Sequence, residues 1–428
     1  MLTFLLFLAV ISFLIAIHEA GHLISAKLSG VWVHEYSIGF GPKLYSRKYA
    51  ETTYAVKPIP FGGYVRMAGE DVSEEDSSDA EVPENQKFYS QPPGTKALIS
   101  FSGPLMNIIA AVLIMIFVVG FTGTPRIAIY GFMDQSPVKE ELRVGDQILS
   151  LRNKDITSLN KISTILQENK DQEISINVLR NGEKLGYTVV PRWYEEQGKY
   201  MLGVELSVAM SNKVTDIADD SSLAGGLKPG DLIVAVNGKP VRDGASIIYE
   251  LENLPEKEPI VFTVEGKEGT RKVEVSQGNK EQIYGEFGLE TIRKEIGPLA
   301  AITGGCRQIR TIMVLTYQGI RMVIRGQIPA GEAVTGPVGI ANMLGQSARR
   351  GLYPLFFLIA LISLNLGLIN LVPFPALDGS RIGYAAYEFV RGKPIPPEKE
   401  GLINSIGFMI LIALMIFITY KDIVGFFT

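Results

Sequence analysis

The sequence is poor in residues from which many catalytic and structural sites are built. Its 428 residues include one cysteine, Cys306, and three histidines, His18, His22 and His34. A single cysteine excludes an intramolecular disulfide framework and any zinc site made of several thiolates. Positive charge is not in excess: 41 Lys and Arg stand against 45 Asp and Glu, a formal net charge of −4. The basic balance of a nucleic-acid-binding protein is therefore missing. No low-complexity tract occurs, and the acidic, serine-rich stretch GEDVSEEDSSDAEVPEN (69–85) has the composition of a solvated, mobile loop.

Charge is absent altogether from four stretches, Met1–Ile17, Ala97–Pro125, Gly351–Leu377 and Gly401–Tyr420. Each approaches the ~20 apolar residues that a bilayer-crossing helix needs. With 46% hydrophobic residues, this predicts a membrane protein of four spans. The first stretch has no basic n-region and no small-residue cleavage site after it, so it reads as a span rather than a signal peptide.

Between the spans the composition changes twice. Residues 26–96 are polar, with strand-like alternation in TTYAVKPIPFGGYVRMAG, and Gly62-Gly63 there predicts a tight turn in a hairpin or curved β-element. Residues 126–296 are charged, Gly-punctuated and rich in short Val/Ile runs, and they repeat: LRVGDQILSLRNKDI (142–156) aligns with LKPGDLIVAVNGKPV (227–241). Both copies resemble PDZ domains through this strand-turn-strand signature. The second is the closer match, because the first carries Asn153-Lys154 where the NG turn is expected. A PDZ fold binds peptides by adding a strand to a sheet edge; the alternative is a pair of purely structural β-domains. Residues 297–328 intersperse Arg307, Arg310, Arg321 and Arg325 among apolar residues, which predicts a helix on the membrane surface or packed against the core rather than a span.

The first span ends in FLIAIHEAGHLISAK (13–27). His18 and His22, four residues apart, share one helix face and can converge on one ion, while Glu19 lies about 100° round the helix. This H-E-x-x-H spacing suits Zn2+, which takes neutral imidazoles, needs a third ligand, and activates water for a neighbouring carboxylate base. Hydrogen-bonded core histidines are the bland alternative. Against it, each ionisable group at bilayer depth costs at least ~2.5 kcal/mol unless compensated. Leu28 stands where a metzincin would have its third histidine, and His34, beyond the span in a polar loop, reads as a surface residue. A carboxylate is the better third ligand, and Asp378 lies at the end of an apolar stretch in LGLINLVPFPALDGSRI (366–382). Counting spans returns Asp378 to the side of His18 and His22, and Pro373 and Pro375 are expected to break the helix just before it.

Basic residues near the span ends give an orientation. Lys27, Lys43, Lys87, Lys96, Arg381, Arg391, Lys393 and Lys399 on the HEAGH side outnumber Arg126, Lys139, Arg349, Arg350 and Lys421 on the other. This puts the histidines towards the cytoplasm and the repeats outside.

HEAGH in the first span, NLVPFPALDG (370–379) in the third and tandem PDZ-like copies between the second and third together resemble the site-2 protease family, intramembrane zinc metalloproteases of the bacterial RseP type. The resemblance runs end to end. It implies that His18, His22 and Asp378 hold Zn2+, that Glu19 is the general base, and that Asn370, with Pro373 and Pro375, holds the substrate backbone. GFGP (39–42) and PFGGYVRMAG (60–69) resemble the family's membrane-dipping β-element, which implies substrate contacts at Gly62, Gly63 and Tyr64. FSGPLMN (101–107) resembles the second-span motif, with Asn107 a polar contact near the site or simply part of a helix-packing start.

The fold expected is a polytopic α-helical membrane protein: four transmembrane helices, a membrane-associated β-element, and two α+β PDZ domains inserted between the second and third spans. The expected segments are 1–28 (span 1), 29–96 (cytoplasmic β-loop region), 97–124 (span 2), 125–208 and 209–293 (PDZ domains), 294–350 (membrane-surface helical segment), 351–378 (span 3), 379–400 (cytoplasmic loop) and 401–424 (span 4). The resemblance implies a bacterial inner-membrane enzyme of regulated intramembrane proteolysis and stress response. Its partners would be membrane lipids and single-span substrates of the anti-sigma-factor type, with remnant signal peptides as further substrates, each cut after an outer domain has been trimmed. Competing readings are a PDZ-based membrane scaffold or chaperone, discriminated by Glu19→Gln, and an ion transporter, which would spread polar residues through several spans rather than at one depth.

Overall fold

A computed structural model describes residues 2–70, 81–134, 136–217, 221, 223, 226–255, 258–267, 269–275, 287–329 and 335–425. Most of the acidic loop, 71–80, lies outside the described residues. In chain order the elements begin with α1 (Leu2–Leu28) and the strands β1 (Val33–Phe40), β2 (Tyr45–Tyr49), β3 (Thr52–Val56) and β4 (Ile59–Met67), followed by α2 (Pro93–Thr122). The repeat region opens with β5 (Thr124–Pro125). Its first copy holds β6 (Ile127–Phe132), β7 (Gln147–Leu151), β8 (Lys154–Asp155), α3 (Leu159–Asn169), β9 (Ile174–Arg180), β10 (Glu183–Val189), β11 (Arg192–Tyr194), β12 (Lys199–Met201) and β13 (Val204–Val208). The second holds β14 (Met210–Ile217), β15 (Leu232–Val236), β16 (Lys239–Pro240), α4 (Gly244–Glu252), β17 (Ile260–Gly266), β18 (Gly269–Val275) and β19 (Phe287–Thr291), and β20 (Arg293–Lys294) closes the region on β5. The chain ends in α5 (Pro298–Ile324), α6 (Pro337–Arg350), α7 (Leu352–Asn370), α8 (Asp378–Arg391) and α9 (Pro397–Gly425).

These elements form two compact units, one of residues 1–119 with 301–428 and one of residues 120–300. Among the described residues of the first, four helices are long and apolar enough to cross a membrane, α1, α2, α7 and α9, the number read from the uncharged stretches. The third is shorter than expected: α7 stops at Asn370, where Pro373 and Pro375 forbid continuation, and Asp378 begins a new helix after the turn. The expected loop 379–400 is also corrected. Residues 378–391 are helix α8, which buries Gly379, Ser380 and Ala385 and ends at Gly392 with φ 68°. The mixture of Gly, Ser and charge hid it, because packing rather than local propensity holds it: Lys96 Nζ pairs with Glu388 at 2.9 Å and Arg381 pairs with Glu70. α5 packs along its Ala301–Gly305–Ile309 stripe, with Gly305 so close to Ile116 of α2 that a Cβ would stand 2.7 Å from its backbone.

The four-stranded sheet has the order β2-β3-β1-β4, with β1 parallel to β3 and antiparallel to β4. Gly62-Gly63 is not a turn; both glycines lie within β4, at an edge of this sheet. Two hydrogen bonds lay the sheet along the first span, Tyr36 Oη to the Ala16 carbonyl at 2.8 Å and Ser12 Oγ to the Pro60 carbonyl at 3.1 Å.

In the second unit the repeat is a repeat of topology. The strand orders are β10-β9-β7-β6-β13 and β18-β17-β15-β14-β19, each with a short hairpin strand on its third member. The hairpin loop of the first copy is Arg152-Asn153, not Asn153-Lys154. Its φ values of 48° and 59° match the 46° and 80° of Asn237-Gly238, so both copies make the same two-residue left-handed turn. The shared GD aspartates are structural: buried Asp146 accepts from Arg143 N at 2.9 Å and pairs with Arg180 at 2.7 Å, and Asp231 accepts from Lys228 N at 2.7 Å and pairs with Arg271.

Candidate metal centre and active-site cavity

The first span buries one stripe. Phe7, Val10 and Leu14, at three- and four-residue steps, pack with Leu344 of α6 and Leu358, Ile359 and Ile362 of α7. Two further steps of four give His18 and His22, each 8% exposed. The stripe that packs the helix therefore also delivers the imidazoles to the interior.

Asp378, first residue of α8, faces both rings. His18 Nε2 lies 3.0 Å from Oδ2, His22 Nε2 lies 3.4 Å from Oδ1, and the two Nε2 atoms are 3.2 Å apart. Three ligands on one zinc ion at ~2.0–2.1 Å in tetrahedral geometry would stand ~3.3 Å from one another, so the donor set fits. The outer partners fit as well. The His22 Nδ1–H donates to the Ile99 carbonyl at 2.8 Å, which leaves the Nε2 lone pair for a cation. On the His18 side, Asn107 places Nδ2 3.3 Å from Nδ1, and its own Oδ1 is buried without a hydrogen-bond partner. Turning the carboxamide by about 180° lets Oδ1 accept the His18 Nδ1–H, which satisfies both groups and frees Nε2 in the same way.

Glycines create the space. A Cβ on Gly103 of α2 would lie 2.2 Å from His22 Nε2, and one on Gly379 would lie 2.3 Å from the Val372 carbonyl oxygen, so Asp378 reaches the histidines only because the next residue has no side chain. Gly63 of β4 passes over Glu19, where a Cβ would be 3.2 Å from its Cγ. Glu19 lines the same cavity as His18, His22 and Asp378.

That cavity has a volume of about 800 Å3 and also takes in Gly62, Gly63 and Tyr64 of β4, Asn370 at the end of α7, and Asn404, Ser405 and Phe408 of α9. Pro373 and Pro375 are not part of its lining; Pro373 is exposed and Pro375 packs on Gly407 of α9. His34 is half-buried on β1 with its ring 6.4 Å from that of Trp32, not the surface residue expected, and stands apart from the other two histidines. Tyr64 is held from beneath: its hydroxyl donates to Glu35 at 2.8 Å, and Glu35 pairs with Lys57 and Lys43, each at 2.9 Å. Burial alone would raise the Glu35 carboxyl, but hydrogen bonds from Lys57, Lys43 and Tyr64 outweigh it and hold the group at about 2.

No motif points to the Ile99 carbonyl or to Asn404 as part of the site, whereas Gly103 lies within FSGPLMN and Gly379 closes NLVPFPALDG, so both glycines carried a signal in the sequence.

Known proteins are similar along the whole chain. A zinc metalloprotease RasP of Bacillus licheniformis is 30% identical over 98% of this chain and 98% of its own length. A RasP of Shouchella clausii is 29% identical over the full length of both. Among solved structures, the PDZ domain of an SdrC-like protein from Listeria monocytogenes aligns with 19% of this chain and 85% of its own at 16% identity and a TM-score of 0.18, too slight to argue from. The sequence model of peptidase family M50 matches residues 6–414, a span that begins in the first membrane helix and ends in the last. With two histidines of HEAGH and the aspartate of LDG meeting inside the stretch so matched, the chain belongs to peptidase family M50, the site-2 protease family.

Proposed function

We propose that this M50 peptidase hydrolyses a peptide bond within or near the transmembrane segment of single-span membrane proteins. The family's cofactor is zinc, and the reading assigns His18, His22 and Asp378 as its ligands and Glu19 as the general base. The observation that carries it is the meeting of those three donor atoms, all within 4.8 Å of one another, beside Glu19 in one cavity.

When bound there, zinc polarises the scissile carbonyl and lowers the pKa of water towards ~7. The Glu19 carboxylate takes the proton from the attacking water and hands it to the leaving amide nitrogen. The Ile99 carbonyl and Asn107 keep the Nδ1 proton on each imidazole and so keep Nε2 basic. A transmembrane helix hides its peptide bonds in its own hydrogen bonds, so the substrate must be unwound before it is cut. β4 is an edge strand with Gly62, Gly63 and Tyr64 at the cavity, and it offers an unwound segment replacement backbone bonds, with Asn370, in the same cavity, holding that segment as well. Pro373 and Pro375 serve by shaping the turn before Asp378.

The two repeated β-domains are read as PDZ domains on the outer face that admit substrates already trimmed of their outer domains. Anti-sigma factors and remnant signal peptides are substrates of this kind. The basic-residue bias supports an inner-membrane enzyme with the zinc site towards the cytoplasm, and the nine segments read from the sequence, amended at α7 and α8, are its proposed domain plan.

The test is metal content of the purified protein together with cleavage of a model single-span substrate by wild type and by Glu19→Gln. Stoichiometric zinc in both, with cleavage lost in the variant, is expected. Absence of zinc from wild type, or full cleavage by the variant, overturns the reading.

A further inference from the structure

Among the described residues the last span contributes nothing to the His18, His22 and Asp378 group, and its exposed residues are mostly apolar, Leu402, Ile403, Ile406, Met409 and Ile410 among them. Its polar exceptions between Gly401 and Tyr420 begin with Asn404. A carboxamide on a lipid-facing helix is costly unless its hydrogen bonds are met inside the protein. Asn404 meets them at one place. Its Oδ1 accepts from the Ala376 N–H at 3.3 Å and from the Tyr384 hydroxyl at 3.1 Å. These partners bracket Asp378, one two residues before it and one six residues after.

Ala376 has φ 75°, the left-handed region that an L-residue with a Cβ adopts only when its surroundings impose it. One turn of α9 further on, Gly407 presses against the same segment. A Cβ there would stand 2.4 Å from Pro375 Cβ and 2.6 Å from the Pro375 carbonyl oxygen. Gly407 therefore permits the approach, and Asn404 fastens it.

We propose that Asn404 is a positioning residue for the zinc site: by holding Ala376 in its left-handed conformation it sets the turn from which Asp378 reaches His18 and His22. The last span thus governs the metal site without touching the metal. This rests on the reading of Asp378 as a zinc ligand.

The experiment uses the full-length protein in detergent with Co2+ as probe, read by its visible d–d absorption and by competition with a chelator. Wild type is expected to show the intense bands of a tetrahedral site. Asn404→Leu is expected to weaken Co2+ binding on the order of ten-fold, as loss of an outer partner does, and to lower kcat with little change in KM. Ala376→Gly, which adopts the turn without strain, is expected to restore Co2+ binding in the Asn404→Leu background. Unaltered Co2+ affinity in Asn404→Leu overturns the proposal. So does a loss that Ala376→Gly fails to rescue, which would mark a general packing defect of the last span. Should Asn404→Leu not accumulate, Asn404→Ala carries the same two readings. Failure of wild type itself to bind Co2+ would instead strike at the zinc ligands.

Discussion

Gly103 shows how little room the proposed metal centre leaves. Its backbone lies under His22, and Gly103→Ala would drive a methyl to 2.2 Å from Nε2. The ring would have to leave either the Ile99 carbonyl or Asp378, and a displacement of about 1 Å at such a site costs roughly 100-fold in rate. Zinc titration and turnover of Gly103→Ala are therefore expected to fall together. Glu19 is different in kind, because it orients no ligand in this geometry. Glu19→Gln keeps its shape and removes the proposed proton acceptor, so cleavage is expected to drop by about 10²–10⁴-fold with zinc content unchanged. The contrast between the two variants, one losing metal and the other only rate, separates holding the ion from using it.

At the scale of the element, β4 lines the cavity along one edge of its sheet, and its tether is ionic. Glu35 on β1 binds Lys57, Lys43 and Tyr64, and its carboxyl sits at about 2 rather than its ordinary 4.5. A carboxyl depressed in the folded state stabilises fully above its unfolded value and loses that contribution as pH falls through the folded value. Wild type should therefore exceed Glu35→Gln in thermal stability by a constant margin at pH 7 and 5. The margin should shrink between about 4.5 and 2, as unfolding curves of both proteins across that range will measure. α8 is tied by charge in the same manner, through Lys96–Glu388 and Arg381–Glu70. It carries Asp378 as its first residue.

For the whole molecule, the proposal that the repeats screen substrates makes one prediction. Removal of residues 126–292, a segment whose flanks meet in the β5–β20 pair, should leave zinc binding intact and allow cleavage of substrates whose outer domains are still attached. Comparing trimmed and untrimmed substrates with both proteins tests it, and unchanged discrimination would end the screening idea. The duplication of that segment is legible from the aligned GD-containing stretches, whereas its strand order and the structural use of Asp146 and Asp231 with their arginine partners appear only in the structure.

Features that depend on spacing along the chain were determined by the sequence alone. The four apolar spans follow from charge-free length, the shared face of His18 and His22 from the helical period, and the side of Asp378 from the parity of crossings. Features that depend on the approach of distant segments were decided only by the tertiary structure. Examples are the Ile99 carbonyl on His22, 77 residues away, the passage of Gly63 over Glu19, the charge-held helix α8, and the grip of Asn404 on Ala376, 28 residues away. Periodicity is a local property of the backbone and is visible in any window of the chain. A hydrogen bond or a missing Cβ acquires its meaning from whatever packs opposite, and that partner has no fixed place in the sequence.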